Sequence, residues 1–218
     1  MGLRQLLALG TIRHWKRHEI LFRAGDPMSS FFKIRDGVVA VSRTLDDGRR
    51  QIVAVRSAGE CVGYLDSAGR YAFEGQALTD IEACAFDRRG FDTLVAATPA
   101  LAAALAEALS EALTQSAQAM LVVGKLRSTE RVAHFLAEMV LVHRRSCAAG
   151  GPLRLHMNRT EIADYLGLTV ETVSRSIGKL KKRSVISLLD SDEVIVLNDA
   201  LLGEIGKSAA DEWRSAIG

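Results

Sequence analysis

The stretch MNRTEIADYLGLTVETVSRSIGKLKKRSVI, residues 157–186, packs two helix starts, a turn glycine and two apolar stripes into one short segment. Asn158 followed by Glu161 has the spacing of a capping box, Gly167 permits a tight turn, and Thr169 can cap a second helix that begins at Val170. Ile162 and Leu166 on the first helix face Val173, Ile177 and Leu180 on the second, and Ala163 is small enough to let the helices approach. This pattern predicts a helix-turn-helix. With the apolar residues turned inward, Glu171, Ser174, Arg175 and Gly178 face outward, close to the N-terminus of the second helix.

Those side chains suit the edges of base pairs. Arg175 can donate two parallel hydrogen bonds to guanine O6 and N7, Glu171 can accept from a cytosine amino group, and Ser174 can bond a base or touch a thymine methyl. A carboxylate on a surface that meets phosphates is repelled, so Glu171 argues for a specific contact. Arg159, Thr160, Thr169, Thr172, Lys179 and Lys182 are candidates for phosphate contacts, which position a protein on a duplex without reading sequence. The formal net charge of the whole chain is only +2, but Arg154, Arg159, Arg175, Lys179, Lys181, Lys182 and Arg183 face only Glu161, Asp164 and Glu171 in the same interval. A basic face therefore belongs to the C-terminal third, and double-stranded DNA is the expected partner. Beyond it, ISLLDSDEVIVL alternates around Asp190-Ser191-Asp192 and reads as a β-hairpin, a wing beside the helices.

Upstream, the period changes twice. From His18 to Phe86 short alternating runs (HEILF, FFKIR, VVAVSRTL, RRQIVAV, FEGQAL, IEACAF) are separated by turn residues, with Asp46-Asp47-Gly48 the strongest hairpin signal. Glycines 25, 37, 48 and 59 fall in the turns, and six or more strands at this spacing predict an antiparallel roll. Thr98-Pro99 reads as an N-cap and first turn, and the helix that follows meets no breaker until Gly124. Its length of about 40 Å exceeds what one small core covers. Leu101, Leu105, Ala108, Leu109, Ala112 and Met120 form a stripe, one side of which can bury against the roll while the small residues of the other suit a second copy of the chain. Ser128 is read as the cap of a further helix with Val132, Phe135, Leu136, Met139, Val140 and His143 on one face. The expected organisation is α+β: a β-roll over 1–97, a dimerisation helix over 98–126 and a winged helix-turn-helix over 127–218.

A β-roll, a long helix and a winged helix-turn-helix in this order resemble the Crp/Fnr transcription regulators along nearly the whole chain. ADYLGLTVETVSR is similar to the Fnr and FixK branches, whose second helix carries Glu-x-x-Ser-Arg, matched by Glu171, Ser174 and Arg175. The cyclic-AMP receptor branch has Arg before the Glu and Gly before the second Arg, where this chain has Val170 and Ser174. The resemblance implies a non-enzymatic homodimer on a two-fold operator, with half-sites similar to TTGAT and its inverted repeat ATCAA, and contact with RNA polymerase. It also implies a roll of the cyclic-nucleotide-binding, jelly-roll type.

In nucleotide-binding members of that family, a Gly-Glu pair takes the ribose and an Arg-Ser-Ala run grips the phosphate. Gly59-Glu60 match the first, with Gly63 following, but the Arg-Ser positions fall on Tyr71-Ala72 and Arg70 stands one place early, which on a strand turns its side chain to the opposite face. These residues read as a vestigial effector pocket, with Tyr71 filling the space of a ligand. The iron–sulfur cluster of the Fnr branch needs clustered N-terminal cysteines, and Cys61, Cys84 and Cys147 cannot supply four thiols. Cys84, between Ala83 and Ala85, is expected as a buried core thiol. His14 and His18 are the only histidines placed for haem, and isolated histidines are usually surface residues. No metal or cofactor is therefore expected; cyclic-nucleotide response, or a thiol or haem redox sensor on the same DNA-binding domain, are the alternatives. Cys147, beside AAGG, is the candidate redox thiol. A metal enzyme on a similar barrel would need histidines on neighbouring strands, which residues 19–86 lack. No apolar run reaches membrane-spanning length and no secretion signal is visible, so the expected location is cytoplasmic, with no membrane partner.

Overall fold

The computed structural model describes residues 10–64, 66–146, 153–190 and 193–206. The chain divides into two compact units, Met1–Ala112 and Leu113–Gly218, and the division falls inside one continuous helix.

The first unit is a roll of two four-stranded antiparallel sheets. One has the order β1 (Gly10–Trp15), β10 (Ile81–Asp87), β3 (Ser30–Asp36), β6 (Cys61–Val62); the other β2 (Ile20–Phe22), β9 (Glu74–Ala77), β4 (Val39–Thr44), β5 (Arg50–Arg56). A two-stranded ribbon, β7 (Asp66–Ser67) and β8 (Arg70–Tyr71), completes it. Period-two alternation sends Phe32, Ile34, Ala83 and Ala85 of the first sheet and Phe22, Val39 and Ala77 of the second into a shared core. Phe22 stacks on Phe32 at 5.8 Å, and Trp15 meets Phe32 edge-on at 5.4 Å. β1 was not among the expected strands: in GTIRHW the residues between Gly10 and Trp15 are all exposed, and only Trp15 at its end reaches the core.

The same alternation places Cys84 on the opposite face from Ala83 and Ala85, which corrects the expectation of a core thiol. It is half-buried in a second cluster, built on Phe31, Phe86 and Phe91 outside the roll. Phe91 comes from α1 (Arg88–Ala97), a helix absent from the sequence reading. Asp87 caps it, accepting from the Gly90 N–H at 2.7 Å, and Arg88 lies 4.3 Å over the Tyr64 ring. α2 (Pro99–Lys125) follows, with Thr98 extended between the two helices and its carbonyl accepting from Leu101 and Ala102. Leu101 and Leu105 pack on the Phe31–Phe86–Phe91 cluster. These two leucines of the expected dimer stripe thus close the roll.

In the second unit, α3 (Ser128–Ser146) packs against α5 (Val170–Lys182) and α6 (Asp199–Gly206), and α4 (Arg159–Leu166) packs against α5. α3 begins at Ser128, so the cap lies one residue earlier than expected: Arg127 donates its N–H to Glu130 at 2.8 Å. Val132, Phe135, Leu136 and Val140 are buried as their spacing predicts, with Met139 half-buried. A three-stranded sheet has the order β11 (Leu153–Arg154), β13 (Glu193–Val196), β12 (Ile186–Leu188), and its β12–β13 pairing is the expected wing. Asn158, Thr169 and Asn198 all lie just ahead of helices; Asn198 takes the Leu201 N–H at 2.9 Å. No single helix among the described residues is long and apolar enough to cross a membrane.

Candidate DNA-binding interface

The two helices of the C-terminal motif start where their caps dictate. Asn158 accepts from the N–H groups of Thr160 and Glu161, both at 2.9 Å, and Glu161 accepts from the Asn158 N–H at 2.7 Å, closing the capping box. Gly167 ends α4 with φ +62°, a left-handed conformation that only glycine adopts without strain, and the Leu168 N–H returns to the Ala163 carbonyl. Thr169 then caps α5, accepting from the Thr172 N–H at 3.2 Å.

The apolar faces meet as the spacing predicts. Ile162, Ala163 and Leu166 of α4 and Val173, Ile177 and Leu180 of α5 are all buried. Phe135 of α3 and Tyr165 of α4 add a ring contact at 5.8 Å. Arg131 of α3 donates to the carbonyls of Leu126 and Leu166, at 2.8 and 3.0 Å, and so ties the start of α3 to the C-terminal end of α4. Nothing in its position along the sequence marks Arg131 for this role, because both acceptors are backbone carbonyls. With this core fixed, α5 can present only one face outward.

That face carries Glu171, Ser174 and Arg175, all exposed. Gly178 is half-buried, with open space beside its Cα. The Glu171 carboxyl is held below the usual carboxylate range, first by its own backbone N–H, then by the Thr169 hydroxyl and the charge of Arg175. It is therefore an acceptor at neutral pH. Lys179, Lys181 and Lys182 occupy the last turn of α5, where the helix dipole favours cations, and all three are exposed. Thr160 and Thr169 are exposed, while Arg159 and Thr172 are half-buried. The candidate base readers and four of the six candidate phosphate ligands are thus exposed on the helices of one motif. What sequence reasoning missed is that Thr169, Thr172 and Arg175 bond to one another along the helix; their spacing of three residues was the available signal.

The residues expected to form a vestigial pocket are engaged in packing and backbone contacts of the roll. Tyr71 is buried, tilts against Phe22 at 4.7 Å and donates its hydroxyl to the Ser30 carbonyl at 2.5 Å. Arg70 points to solvent and donates to the Gly25 carbonyl at 2.7 Å, and the Ala72 carbonyl accepts from Arg43 at 2.7 Å. Glu60 folds onto its own loop, accepting from the Ser57 N–H at 2.8 Å and its hydroxyl at 3.2 Å. Phe22 leaves room for nothing larger than hydrogen at Gly75, where a Cβ would stand 2.4 Å from the ring, and a Cβ at Gly63 would touch it at 3.2 Å. Gly59 sits in a turn with φ +93°. His14 and His18 are exposed, and no group of three or more metal-ligating side chains occurs among the described residues. Cys147 lies outside the described residues.

Comparison with known proteins agrees with both halves. Residues 12–98 match the cyclic nucleotide-binding domain family, and residues 130–205 the Crp-like helix-turn-helix domain family. The nitrogen fixation regulation protein FixK of Rhizobium meliloti is 35% identical over 182 residues, covering 84% of this chain and 81% of the relative. The transcriptional activator protein FnrL of Cereibacter sphaeroides is 33% identical over 215 residues, 93% of this chain and 84% of the relative. Among solved structures, FixK2 from Bradyrhizobium japonicum superposes with a TM-score of 0.83 at 29% identity, covering 92% of this chain and 99% of that one. With a cyclic nucleotide-binding domain and a Crp-like helix-turn-helix domain matched in one chain, and with FixK and FnrL similar along most of its length, the chain belongs to the FixK/Fnr branch of the Crp/Fnr family and is a DNA-binding transcription regulator.

Proposed function

We propose that the chain acts as a homodimer on a palindrome with half-sites close to TTGAT and ATCAA, that Glu171, Ser174 and Arg175 read the bases, and that the bound dimer contacts RNA polymerase in the cytoplasm. The observation that carries this reading is the exposed trio at the capped end of α5, its orientation fixed by a buried face. Arg159, Thr160, Thr169, Thr172, Lys179 and Lys182 supply phosphate contacts around it.

The dimer rests on α2. Ala106, Leu109, Leu113, Ser116, Met120 and Val123 are all exposed and alternate at spacings of three and four residues, the a and d positions of a coiled coil. Ala108 is exposed beside this seam and Ala112 is half-buried. Two such seams bury each other, and a two-fold dimer places two copies of α5 on half-sites about one DNA turn apart.

The roll works without a cyclic nucleotide, haem or iron–sulfur cluster in this reading. Support comes from Tyr71 in the core, from Arg70 and Arg43 engaged with backbone carbonyls, and from Glu60 turned onto Ser57. Calorimetry with cyclic AMP and cyclic GMP tests it, and micromolar binding would overturn it.

The decisive experiment is selection of bound sites from random DNA, followed by affinities for single-base variants. Arg175→Ala should cost about 1–3 kcal/mol at one base pair and relax selectivity there. Lys179→Ala should weaken binding to all duplexes and flatten the salt dependence. An Arg175→Ala protein that keeps wild-type selectivity would show that another surface reads the bases.

A further inference from the structure

Gly178 lies inside α5, where glycine weakens a helix relative to alanine because it has more backbone freedom to lose on folding. A fold keeps a glycine at such a place for a left-handed backbone or for a neighbour too close to admit a Cβ. Gly167, at the end of α4, is of the first kind, with φ +62°. Gly206, at the end of α6, is of the second: a Cβ there would stand 2.8 Å from the His134 backbone nitrogen. Neither reason applies to Gly178. It is helical, and among the described residues nothing comes within 4 Å of the Cβ it lacks, its chain neighbours and its own helix backbone apart.

Its surroundings on the outward face are charged and polar. At about 3.6 residues per turn, Glu171, Ser174, Arg175, Gly178 and Lys182 fall within roughly 100° around the helix axis, with Lys179 and Lys181 to either side. All of these except the half-buried Gly178 are exposed. Gly178 is about 10 Å along the axis from Glu171. A helix that enters a major groove about 12 Å wide, with its N-terminal residues on the base edges, brings a residue at that distance to the rim, where a sugar–phosphate strand passes. Lys179, Lys181 and Lys182, all in the last turn, draw that strand towards the same place.

We propose that Gly178 is a further DNA-contacting residue: a gap in the surface of α5 in which the sugar–phosphate strand at the edge of the groove rests directly on helix backbone. The inference rests on Glu171, Ser174 and Arg175 being the base readers. A methyl group at this point would hold the strand away from the helix. Because phosphates and sugars are common to every sequence, the contact governs how closely α5 seats and not which base is chosen. A thymine methyl is the other group that fits a gap of this size, and it would make the contact depend on sequence.

The test sets stability against affinity in the full chain. Gly178→Ala should raise the midpoint of thermal unfolding by about 2–4 °C, since alanine is the better helix former and has room for its methyl. The same variant should lower affinity for the duplex recovered by selection from random DNA roughly five- to a hundred-fold, the range for a methyl forced into a close-packed contact. Gly178→Leu, another good helix former, should bind more weakly still. Replacing each thymine of the duplex in turn by uracil, which removes only the methyl, should leave the deficit of Gly178→Ala unchanged.

A Gly178→Ala protein that melts no lower than wild type and binds as tightly would overturn the proposal. Weaker binding with a lower melting point would mark a packing role and overturn it as well. A deficit that vanishes with uracil at one position would place a thymine methyl against Gly178 and overturn the strand as its occupant. If Arg175→Ala relaxes selectivity while Gly178→Ala binds as wild type, this contact alone is wrong. If Arg175→Ala keeps wild-type selectivity, the reading face is misassigned and the contact falls with it.

Discussion

Tyr71, expected from the sequence register at the phosphate-gripping place of a vestigial pocket, is a core residue of the roll. Its ring fills the core beside Phe22, and its hydroxyl satisfies the Ser30 carbonyl, so one residue closes both an apolar gap and a polar one. Tyr71→Phe should cost about 1 kcal/mol in urea denaturation, the value of one buried hydrogen bond. Tyr71→Ala should cost about 3–5 kcal/mol, because a cavity is added to the lost transfer energy. Tyr71→Arg with Ala72→Ser should destabilise the roll instead of restoring a grip, since a guanidinium at this position enters the core without a partner. The motif at the C-terminus works through equally local means: with the capping box gone, Asn158→Ala should lower unfolding stability by about 1 kcal/mol.

At the scale of elements, α3 shows how a short charged segment fixes where a helix begins. Glu130 receives both the Arg127 N–H at 2.8 Å and its guanidinium at 2.6 Å, and Arg127 holds the Glu130 carboxyl below its usual range, chiefly through the side-chain hydrogen bond. A carboxyl whose folded-state value is depressed adds stability that is present above the ordinary carboxylate range of about 4 and is lost as the pH falls through the lowered value. Thermal melts of Glu130→Gln should therefore lie below wild type at neutral pH and converge with it in acid. The elements that carry a cap and a stripe together, α4, α5 and α2, were legible because local propensity and apolar period agree there. β1 and α1 were not. β1 is an edge strand whose residues 11–14 are all exposed, so that only Trp15 turns inward and no alternation shows, and α1 declares itself only through Asp87 and the pair Phe91 and Val95, whose burial depends on Phe31 and Phe86 far away in the chain. Cys84 was misplaced for a related reason: two alanines beside it read as core, and the pleat then requires the residue between them to face the other way.

For the whole molecule, the seam on α2 makes assembly the largest testable consequence. Leu113 is 72% exposed and Met120 is 76% exposed, values that an isolated chain has no reason to keep in a row. Leu113→Glu should convert the proposed dimer to a monomer in sedimentation equilibrium and reduce affinity for the proposed full palindrome far more than for a half-site. The candidate base readers were visible in the sequence because each is a side chain with known donors and acceptors on a predictable helix. The contacts of Arg175 with Thr172 and with the Glu171 carbonyl were not, because they depend on rotamers that a pattern of letters does not specify.

The boundary between the two compact units lies at Ala112 and Leu113, in the middle of α2 and of its seam, with no glycine or proline between Ala100 and Val123 to interrupt it. Length changes at that boundary are therefore not tolerated as they would be in a loop. One inserted residue advances an α-helix by 1.5 Å and turns it by about 100°, which would carry Leu113, Met120 and Val123 out of line with Ala106 and Leu109. Seven inserted residues, two turns, would return the two halves nearly to line. Among related chains of different length at this point, viable insertions and deletions should come in sevens, so that the helix sets the step by which this chain can grow.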